Sequence, residues 1–244
     1  MQKIAIIVAG GAGVRMGSAT PKQFLLLHGK PVLQYSLQAF LDAYDDLKII
    51  LVIPEAHFDK GNQIIEDLQA AHRVTMVNGG ETRFHSVKNG LAQISLQNWL
   101  IANTAVNKSE ESAETQNAVV FVHDGVRCLI SKELIRRCYE QTIEKGSAIP
   151  AVTATDSIRI MENGIPKVAN RDNIRIIQTP QTFLSNLLLE AFAQTYNPLF
   201  TDEATVVEAA NHPIFLTEGE YNNIKITRPA DLLLAESIIS GSQQ

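Results

Sequence analysis

A glycine-rich loop directly after a buried strand limits the fold of this chain more than any other stretch. The residues Lys3–Val8 are largely apolar and rich in β-branched side chains, a pattern that predicts a buried first strand. Residues 9–17 then read AGGAGVRMG, and their four glycines allow a tight turn and a close approach of the backbone to a ligand. Because such a loop can direct several N–H groups at one anion, we expect an α/β fold with a phosphate site here.

Two cations accompany this loop. Arg15 is part of it, and Lys22 follows within the sequence TPKQF at residues 20–24. A guanidinium matches a pair of phosphate oxygens, whereas an ammonium acts as a compact point charge. The loop and its cations therefore predict a site that stabilises negative charge on a phosphorus that is being transferred.

Three other interpretations of the loop are weaker. The dinucleotide-binding pattern G-x-G-x-x-G, begun at Gly11, requires glycine where the chain has Met16. The phosphate loop of nucleoside triphosphatases closes with Gly-Lys-Ser/Thr, which this segment lacks. A glycine turn that serves packing alone would not account for the Pro-Lys-Gln that follows it.

Composition narrows the class of protein. The 244 residues are 45% hydrophobic and 19% charged, as is ordinary for a globular protein with a sizeable core. A net charge of −5 argues against nucleic-acid binding, and no apolar run has the length of a membrane span. Cys128 and Cys138 are too few for a disulfide framework and lack metal-ligand spacing. We therefore expect a cytoplasmic protein with no nucleic-acid and no membrane partner.

A second glycine turn lies at residues 78–83, which read NGGETR. It follows a predicted short strand and leads into a predicted helix, so it can bind an anion or a base as the first loop does. Further along, residues 98–117 are rich in Asn, Ser, Glu and Thr, and we interpret them as a surface insertion.

A central strand predicted over Ala118–Val122 leads into HDGVR at residues 123–127. Because ligands of open parallel sheets bind beyond the carboxyl ends of the strands, we expect Asp124 to face the same crevice as the glycine loop. A carboxylate there can hold the Mg²⁺ that accompanies a nucleoside triphosphate, although Asp also commonly caps a turn. Arg127 either pairs with Asp124 or reaches a substrate anion, and we favour the second role. We assign His123 no chemical role.

Residues 153–179 are expected to form a projecting arm. Apolar residues alternate loosely on both sides of Asn163-Gly164, a dipeptide typical of hairpin turns. A two-stranded hairpin is only marginally stable alone, and a second subunit is a natural support for it. We therefore predict a homodimer joined through this arm.

The remaining elements follow from periodicity and turn residues. Leu184–Thr195 is expected to be a helix, and Asp202 suits the N-cap of another. Ile214–Thr217 and Asn223–Thr227 are expected to be strands. Lys225 on the last strand is either a surface charge or a cation directed into the site.

Together these stretches resemble one enzyme family, the 2-C-methyl-D-erythritol 4-phosphate cytidylyltransferases of the non-mevalonate isoprenoid pathway. Only the insertion near residues 98–117 falls outside the match. The matching motifs are AGGAGVRM at 9–16, PKQ at 21–23, Gly79-Gly80 with Arg83 and Ser86, His123-Asp124 with Arg127, Asp156-Ser157, Arg171, TPQ at 179–181, TDEA at 201–204 and NIKIT at 223–227. Where the family usually reads HDAARP, this chain reads HDGVRC, which keeps the charged residues and loses a proline.

The resemblance implies a single α/β nucleotidyltransferase domain over residues 1–244. The implied Rossmann-like (GT-A-like) fold has a mixed, mostly parallel sheet with helices on both faces and a projecting β-hairpin arm. CTP is the implied co-substrate, and Mg²⁺ is the implied divalent cation. The residues that the resemblance assigns to CTP binding are Ala9, Gly10, Gly11, Gly13, Gly80, Ser86, Asp124 and Gly125.

The implied reaction is an in-line attack of the substrate 4-phosphate on the α-phosphorus of CTP, with release of pyrophosphate and no covalent intermediate. Catalysis would then consist of positioning and charge stabilisation. Arg15 and Lys22 would stabilise the pentacoordinate phosphorus. Lys225 would orient the α-phosphate, and Asp124 would hold Mg²⁺.

The resemblance assigns the polyol phosphate to the arm. Arg171, which is also counted among the catalytic residues, would bind it together with Asp156 and Ser157 in the neighbouring subunit's site. Arg127 and Thr201 complete the implied substrate-binding set. Dimerisation would then be part of building the active site.

Two other functions compete with this one. A ribitol-5-phosphate cytidylyltransferase would share the fold, because polyol selectivity depends on a few side-chain contacts. The sequences TDEA at 201–204 and KITRP at 225–229 resemble the erythritol enzyme more closely. A non-catalytic nucleotide-binding protein is the more remote alternative, but a decayed enzyme would be expected to have lost at least one of the charged site residues.

Overall fold

One mixed sheet organises the chain. A computed structural model describes residues 1–11, 17, 20–96 and 118–241. Gly13 and Arg15 of the first loop, and the predicted insertion at residues 98–117, lie outside the described residues. Within the described part of the chain, no helix has both the length and the apolar character needed to cross a membrane.

Strands and helices alternate along most of the chain. The strands are β1 (Lys3–Val8), β2 (Leu26–Leu27), β3 (Lys30–Pro31), β4 (Lys48–Ile53), β5 (Val74–Asn78), β6 (Val119–Asp124), β7 (Ser147–Thr153), β8 (Arg159–Glu162), β9 (Ile165–Val168), β10 (Arg175–Ile177), β11 (Gln181–Leu184) and β12 (Leu216–Glu218). The helices are α1 (Val32–Ala43), α2 (Phe58–Asp67), α3 (Arg83–Leu96), α4 (Lys132–Lys145), α5 (Ser185–Ala191), α6 (Glu203–Ala209) and α7 (Pro229–Gly241).

The main sheet has the strand order β10-β7-β11-β6-β1-β4-β5, and β12 pairs with β7. The strands β6, β1, β4 and β5 are parallel neighbours, whereas β11 is antiparallel to both β6 and β7. Alternate residues of β1 enter different cores: Ala5 and Ile7 pack in the layer of α1, α2 and α4, and Ile4 and Ile6 pack in the layer of α3, α5 and α6. The predicted mixed sheet with helices on both faces is confirmed.

Strand register brings the predicted site residues to one edge of the sheet. Val8, the last residue of β1, pairs with Asp124, the last residue of β6. On the other side of β1, β4 and β5 end together, and Gly79 N–H donates to the Ile53 carbonyl at 3.0 Å. The first glycine loop, the second glycine turn and Asp124 therefore all leave the sheet at its carboxyl edge.

The predicted helix at Leu184–Thr195 is confirmed as α5, but it is shorter than predicted, because Leu184 ends β11 and residues 192–195 are not helical. Short antiparallel strands between two longer ones are hard to recognise in a sequence, since their pairing depends on distant partners. Here Thr182 pairs with Phe121 of β6 and with Ala148 of β7. This pairing with two other strands keeps residues 181–184 extended up to the start of α5.

The predicted strand at Asn223–Thr227 is also wrong, since this segment is irregular. Its backbone is held at single points: Ile226 N–H donates to the Val126 carbonyl at 3.0 Å, and the Asp231 carboxylate accepts from Thr227 N–H at 2.7 Å. Asp231 belongs to the first turn of α7, so the helix start fixes the segment that carries Lys225.

The predicted hairpin is confirmed as β8 and β9, joined at Asn163-Gly164. Both turn residues have positive φ angles, 52° and 81°, as a tight two-residue hairpin turn requires. All residues of the two strands are exposed, including Met161, Ile165 and Val168. The arm thus presents apolar side chains that the other described residues of its own chain do not cover.

Candidate active site

An open cleft with a volume of about 370 Å³ lies at the carboxyl edge of the sheet. Its size is typical of sites for small-molecule ligands. Both glycine turns, the end of β6 and the irregular segment near α7 meet around it. The predicted site residues among its lining are Ala9, Gly10, Gly11, Lys22, Gly80, Ser86, Asp124 and Lys225.

The Pro-Lys-Gln motif is attached to the start of the first loop. The buried Gln23 side chain donates from Nε2 to the Ala9 carbonyl at 2.7 Å, and Ala9 N–H donates to the Val52 carbonyl at 2.9 Å. This anchor brings the neighbouring Lys22 to the loop, where its Cε lies 3.5 Å from the place that a Cβ on Gly11 would occupy. The sequence showed the cation, but the structure shows how Gln23 positions it.

The second glycine turn is closed by its own helix. Gly80 N–H donates to Oγ of the buried Ser86 at 3.0 Å, across the first turn of α3. A Cβ on Gly80 would stand 2.4 Å from Cβ and 2.8 Å from the carbonyl carbon of His85, so only glycine fits there without rearrangement. The turn at Gly80 is therefore held in one conformation by Ser86, and its close packing depends on glycine.

Asp124 is surrounded by three cations. Arg83 donates from Nε and Nη2 to Oδ1 of Asp124 at 3.3 and 3.2 Å. Lys225 Nζ lies 2.8 Å from Oδ2, and Arg127 Nε lies 4.0 Å from the same oxygen. Burial by itself would raise the pKa of Asp124, but the charges of Arg83 and Lys225 hold that pKa well below its usual range. The carboxylate is therefore ionised at neutral pH.

A second carboxylate, Glu203, stands behind this cluster. It is 1% exposed, and Arg83 Nη1 donates to its Oε1. Burial raises the pKa of Glu203, and the charge of Arg83 opposes that rise. Both residues lie in motifs that the sequence analysis singled out, yet neither was assigned a role. The missing signal was their pairing, since 120 residues separate them in the chain.

His123 joins Asp124 to the neighbouring turn through a buried chain of hydrogen bonds. Asp124 N–H donates to Thr179 Oγ1 at 3.1 Å, and Thr179 Oγ1 lies 3.0 Å from His123 Nδ1. His123 Nε2 lies 3.2 Å from the Arg127 carbonyl, which can only accept, so Nε2 carries the proton and Nδ1 accepts from Thr179. Burial lowers the pKa of His123 to about 3, so the ring is neutral and serves as a structural link.

Gly125 and Arg127 have structural partners. A Cβ on Gly125 would lie 2.8 Å from Leu33 Cδ1 and 3.1 Å from Ala9 Cβ, so a side chain there would crowd the core beneath the first loop. Arg127 donates to the carbonyls of Asn223 at 2.7 Å and Ile177 at 3.4 Å. Neither residue is part of the cleft lining. For Arg127, which we had expected to reach a substrate anion, the structure favours the ion-pair alternative with added backbone contacts.

The residues assigned to the polyol phosphate do not line the cleft of their own chain. Arg171, Asp156 and Ser157 are exposed on or beside the arm, and Arg171 Nη1 donates to the Thr155 carbonyl at 3.0 Å. Thr201 is exposed just before α6, where its N–H donates to Thr205 Oγ1 at 3.1 Å. The structure brings these four residues neither to Asp124 nor to Lys22.

The cleft offers the Asp124 carboxylate to a divalent cation, and the two oxygens of this carboxylate are paired with Arg83 and Lys225. Among the described residues, no group of three or more His, Cys, Asp or Glu side chains could hold a metal ion. Mg²⁺, however, commonly binds through one or two carboxylates together with substrate phosphates and water. Asp124 at the cleft therefore fits a metal that arrives with a triphosphate.

Comparison with known proteins identifies the family. The family model for 2-C-methyl-D-erythritol 4-phosphate cytidylyltransferase matches residues 3–105 and 102–241. The chain belongs to this family. As a member of the cytidylyltransferase family it is a nucleotidyltransferase enzyme, and the resemblance in its motifs is confirmed.

Individual relatives are similar in sequence to this chain over nearly its whole length. A protein of Bacteroides fragilis named 2-C-methyl-D-erythritol 4-phosphate cytidylyltransferase is 40% identical over 98% of this chain and 100% of its own length. A protein of the same name from Clostridium botulinum is 34% identical over 97% of this chain and 98% of its own length.

Solved structures give the same result for the fold. The 4-diphosphocytidyl-2C-methyl-D-erythritol synthase of Anaerococcus prevotii superposes with a TM-score of 0.76 and 26% identity, covering 98% of this chain and 99% of that one. The 2-C-methyl-D-erythritol 4-phosphate cytidylyltransferase of Thermus thermophilus superposes with a TM-score of 0.69 and 28% identity, covering 98% and 100%. The α/β nucleotidyltransferase fold of the cytidylyltransferase family is thus confirmed for this chain.

Proposed function

We propose that this chain transfers CMP from CTP to 2-C-methyl-D-erythritol 4-phosphate, giving 4-diphosphocytidyl-2-C-methyl-D-erythritol and pyrophosphate in isoprenoid biosynthesis. The observation that carries this proposal is the cleft in which two glycine turns and Lys22 meet the Asp124–Lys225 pair, in a chain of the cytidylyltransferase family. Such a cleft suits an anionic nucleotide because three cations, Lys22, Arg83 and Lys225, line one space.

The chemistry requires little proton transfer. The attacking oxygen belongs to a phosphate that is already ionised, so the site needs no general base. The work of the protein is to align this oxygen with the α-phosphorus and to stabilise charge on the departing pyrophosphate. Gly10 and Gly11 hold the triphosphate, and Lys22, with Arg15 as the second cation of the loop, stabilises the charge that develops as pyrophosphate leaves. Gly80 and Ser86 form the opposite wall of the nucleotide site.

Asp124 and Lys225 act as a pair at the α-phosphate. Asp124 would hold Mg²⁺, which when bound would supply positive charge to neutralise the triphosphate. Lys225 already contacts Oδ2 of Asp124 at 2.8 Å, so its ammonium stands where a phosphate bound beside this carboxylate would be neutralised. Lys225 thus orients the α-phosphate for attack.

Isotope transfer tests the reaction directly. With CTP labelled at the α-phosphorus, the label should appear in the diphosphocytidyl product, and label at the β- and γ-positions should appear in pyrophosphate. Release of β,γ-label as inorganic phosphate, or α-label that remains in free CMP, would contradict transfer to the polyol phosphate.

The arm supports a homodimer. The proposal rests on the hairpin β8–β9, whose apolar side chains Met161, Ile165 and Val168 are exposed, Val168 to 75%. Apolar surface of this kind commonly marks a contact with another protein. We assign the contact to a second copy of the chain, which the arm would reach with Arg171, Asp156 and Ser157.

Removal of the hairpin should give inactive monomers. In the deletion variant, residues 159–168 are replaced by a short glycine-serine turn, and the mass in solution and the pyrophosphate release are measured. A triple variant, Met161→Ser, Ile165→Ser and Val168→Ser, should weaken the dimer while leaving the folded body intact. A deletion variant that is an active dimer would contradict the role of the arm.

Replacing Arg171 with alanine should raise the KM for the polyol phosphate by about 10–100-fold, because an arginine–phosphate hydrogen bond contributes about 1.5–3 kcal/mol. The KM for CTP should change little. Arg175→Ala, a neighbouring exposed arginine whose contacts are to its own backbone region, serves as the control. A change in CTP affinity alone would contradict the assignment.

Mixed dimers show which cleft the arm serves. If the arm enters the partner's site, mixing Arg171→Ala and Lys22→Ala subunits should restore activity, because one cleft of each mixed dimer then has both residues. If the arm serves its own cleft, every site lacks one residue and mixing restores nothing.

The two cysteines take no part in this chemistry. Cys128 and Cys138 are free and buried. Burial raises the pKa of each thiol to about 12, so neither is a nucleophile at neutral pH. Two buried free thiols support the expected cytoplasmic location, which stays a prediction.

A further inference from the structure

We propose that Glu203 is a positioning residue of this active site, which holds the Arg83 guanidinium against Asp124 and thereby sets the affinity for CTP with Mg²⁺. The inference rests on the proposed function, because it concerns the nucleotide site of the same reaction. It adds a residue outside the cleft lining to those that determine nucleotide binding.

Arg83 connects the cleft to Glu203. All three nitrogens of its guanidinium are used: Nε and Nη2 face Oδ1 of Asp124 at 3.3 and 3.2 Å, and Nη1 faces Oε1 of Glu203. Arg83 lines the cleft, whereas Glu203 does not. Because the guanidinium is planar, its contact with the buried Glu203 fixes the direction in which Arg83 meets Asp124 at the cleft.

The backbone at Glu203 is firmly held, so its carboxylate can serve as an anchor. Asp202 is the N-cap of α6 and accepts from Thr205 N–H at 2.9 Å. The buried Gln181 of β11 donates to Asp202 Oδ2 and accepts from Ala204 N–H, both at 2.8 Å. Glu203 lies between these two attached residues. The long Arg83 side chain, by contrast, has many rotamers and keeps one orientation only while its partners hold it.

Fold stability alone does not explain a carboxylate at this position. A buried charge is costly to desolvate, and apolar residues of similar volume commonly replace buried ion pairs without loss of stability. Among the described residues, Oε2 of Glu203 has no hydrogen-bond partner, so half of the carboxylate is buried without compensation. The carboxylate oxygen of Glu203 that does have a hydrogen-bond partner is Oε1, and that partner is Arg83. This arrangement indicates that Glu203 is retained for orienting Arg83.

Loss of Glu203 should therefore affect the nucleotide more than the polyol phosphate. Without Glu203, the Arg83 guanidinium keeps only its contact with Asp124 and can rotate. Oδ1 of Asp124 then no longer has a hydrogen-bond donor in a fixed position. The residues proposed for the polyol phosphate on the arm do not touch Glu203. Residues that orient the direct ligands of a metal commonly change affinity or activity by about 10–100-fold when they are altered.

The test compares Glu203→Gln, which keeps the size of the side chain and removes its charge, with the unaltered protein. The dissociation constant of CTP in the presence of Mg²⁺ is measured by calorimetry, and both KM values are measured by pyrophosphate release. We expect the CTP constants to rise by about tenfold or more and the KM for the polyol phosphate to stay within about twofold. Glu208→Gln, the same change at an exposed position of α6, should leave all constants unchanged.

A double-mutant cycle separates positioning from a general structural effect. If Glu203 acts through Arg83, the change Glu203→Gln should have little further effect on CTP binding in an Arg83→Gln background. Additive effects would overturn the proposal, as would a Glu203→Gln variant with a lowered melting temperature but unchanged CTP constants. If Glu203→Gln does not fold, Glu203→Asp provides the same comparison with the charge kept and the reach shortened.

The proposed function can fail independently. Pyrophosphate release by the unaltered protein is the first measurement in this series, and its absence would contradict the function. Normal turnover by the unaltered protein, together with a Glu203→Gln variant that binds CTP equally well, would overturn only the role of Glu203.

Discussion

Replacing Lys22 with alanine is expected to lower the turnover number by about 10²–10³-fold, as the loss of one donor to a charged transition state commonly does. The reason is that Lys22 faces the cleft beside the first loop, where charge develops on the triphosphate as pyrophosphate leaves. The dissociation constant of CTP should change by less than about threefold, because this interaction strengthens in the transition state. Rapid-quench kinetics and calorimetry with CTP and Mg²⁺ measure the two quantities separately.

The control is Lys30→Ala, which removes an exposed lysine of β3 close to Lys22 in the chain. It should leave turnover and CTP binding unchanged. Unchanged turnover in the Lys22→Ala protein would remove Lys22 from the mechanism. A large loss of CTP affinity with normal turnover would make it a binding residue only.

Replacing Asp124 with asparagine is expected to reduce both activity and stability. Asparagine keeps the size of the side chain but leaves the charges of Arg83, Lys225 and Arg127 without their common partner. Loss of one partner of a buried ion pair commonly lowers the free energy of unfolding by about 3–5 kcal/mol. Turnover should fall by at least about 10²-fold, because the proposed ligand for Mg²⁺ is lost.

Urea unfolding at neutral pH gives the first quantity, and pyrophosphate release well below the melting temperature gives the second. The matched control is Asp46→Asn, which removes a surface ion pair with Lys3. Exposed pairs contribute about 0–1 kcal/mol, so this variant should resemble the unaltered protein in both assays. An Asp124→Asn protein with normal stability would contradict the electrostatic account of the cluster.

The parts of the fold that local patterns determine could be predicted from the sequence. The strand before the first loop, the hairpin at Asn163-Gly164 and the position of Asp124 at the end of a central strand each depend on neighbouring residues only. Apolar runs, glycine and turn dipeptides carry that information directly.

The parts of the fold that depend on distant partners could not be predicted from the sequence. The strand β11 exists because β6 and β7 offer it pairing on both sides, and its own four residues contain no sign of this. The segment around Lys225 reads as a strand but is fixed by Val126 and Asp231 instead.

The same limit applies to the site. The sequence identified the charged residues but not their pairing. It therefore favoured a substrate contact for Arg127, whose guanidinium instead bonds two backbone carbonyls, and it assigned no role to Arg83 or Glu203. Contacts between side chains that are far apart in the chain are set by the packing of the sheet and its helices.

Pyrophosphate release with CTP and Mg²⁺, compared between 2-C-methyl-D-erythritol 4-phosphate and ribitol 5-phosphate, tests the central claim most directly. We predict rapid release with the methylerythritol phosphate and little with ribitol 5-phosphate, because polyol selectivity is expressed as a ratio of kcat/KM values. Preference for ribitol 5-phosphate would contradict the proposed substrate. If neither polyol phosphate gave pyrophosphate release in a protein that still binds CTP, the proposed catalytic activity would be contradicted.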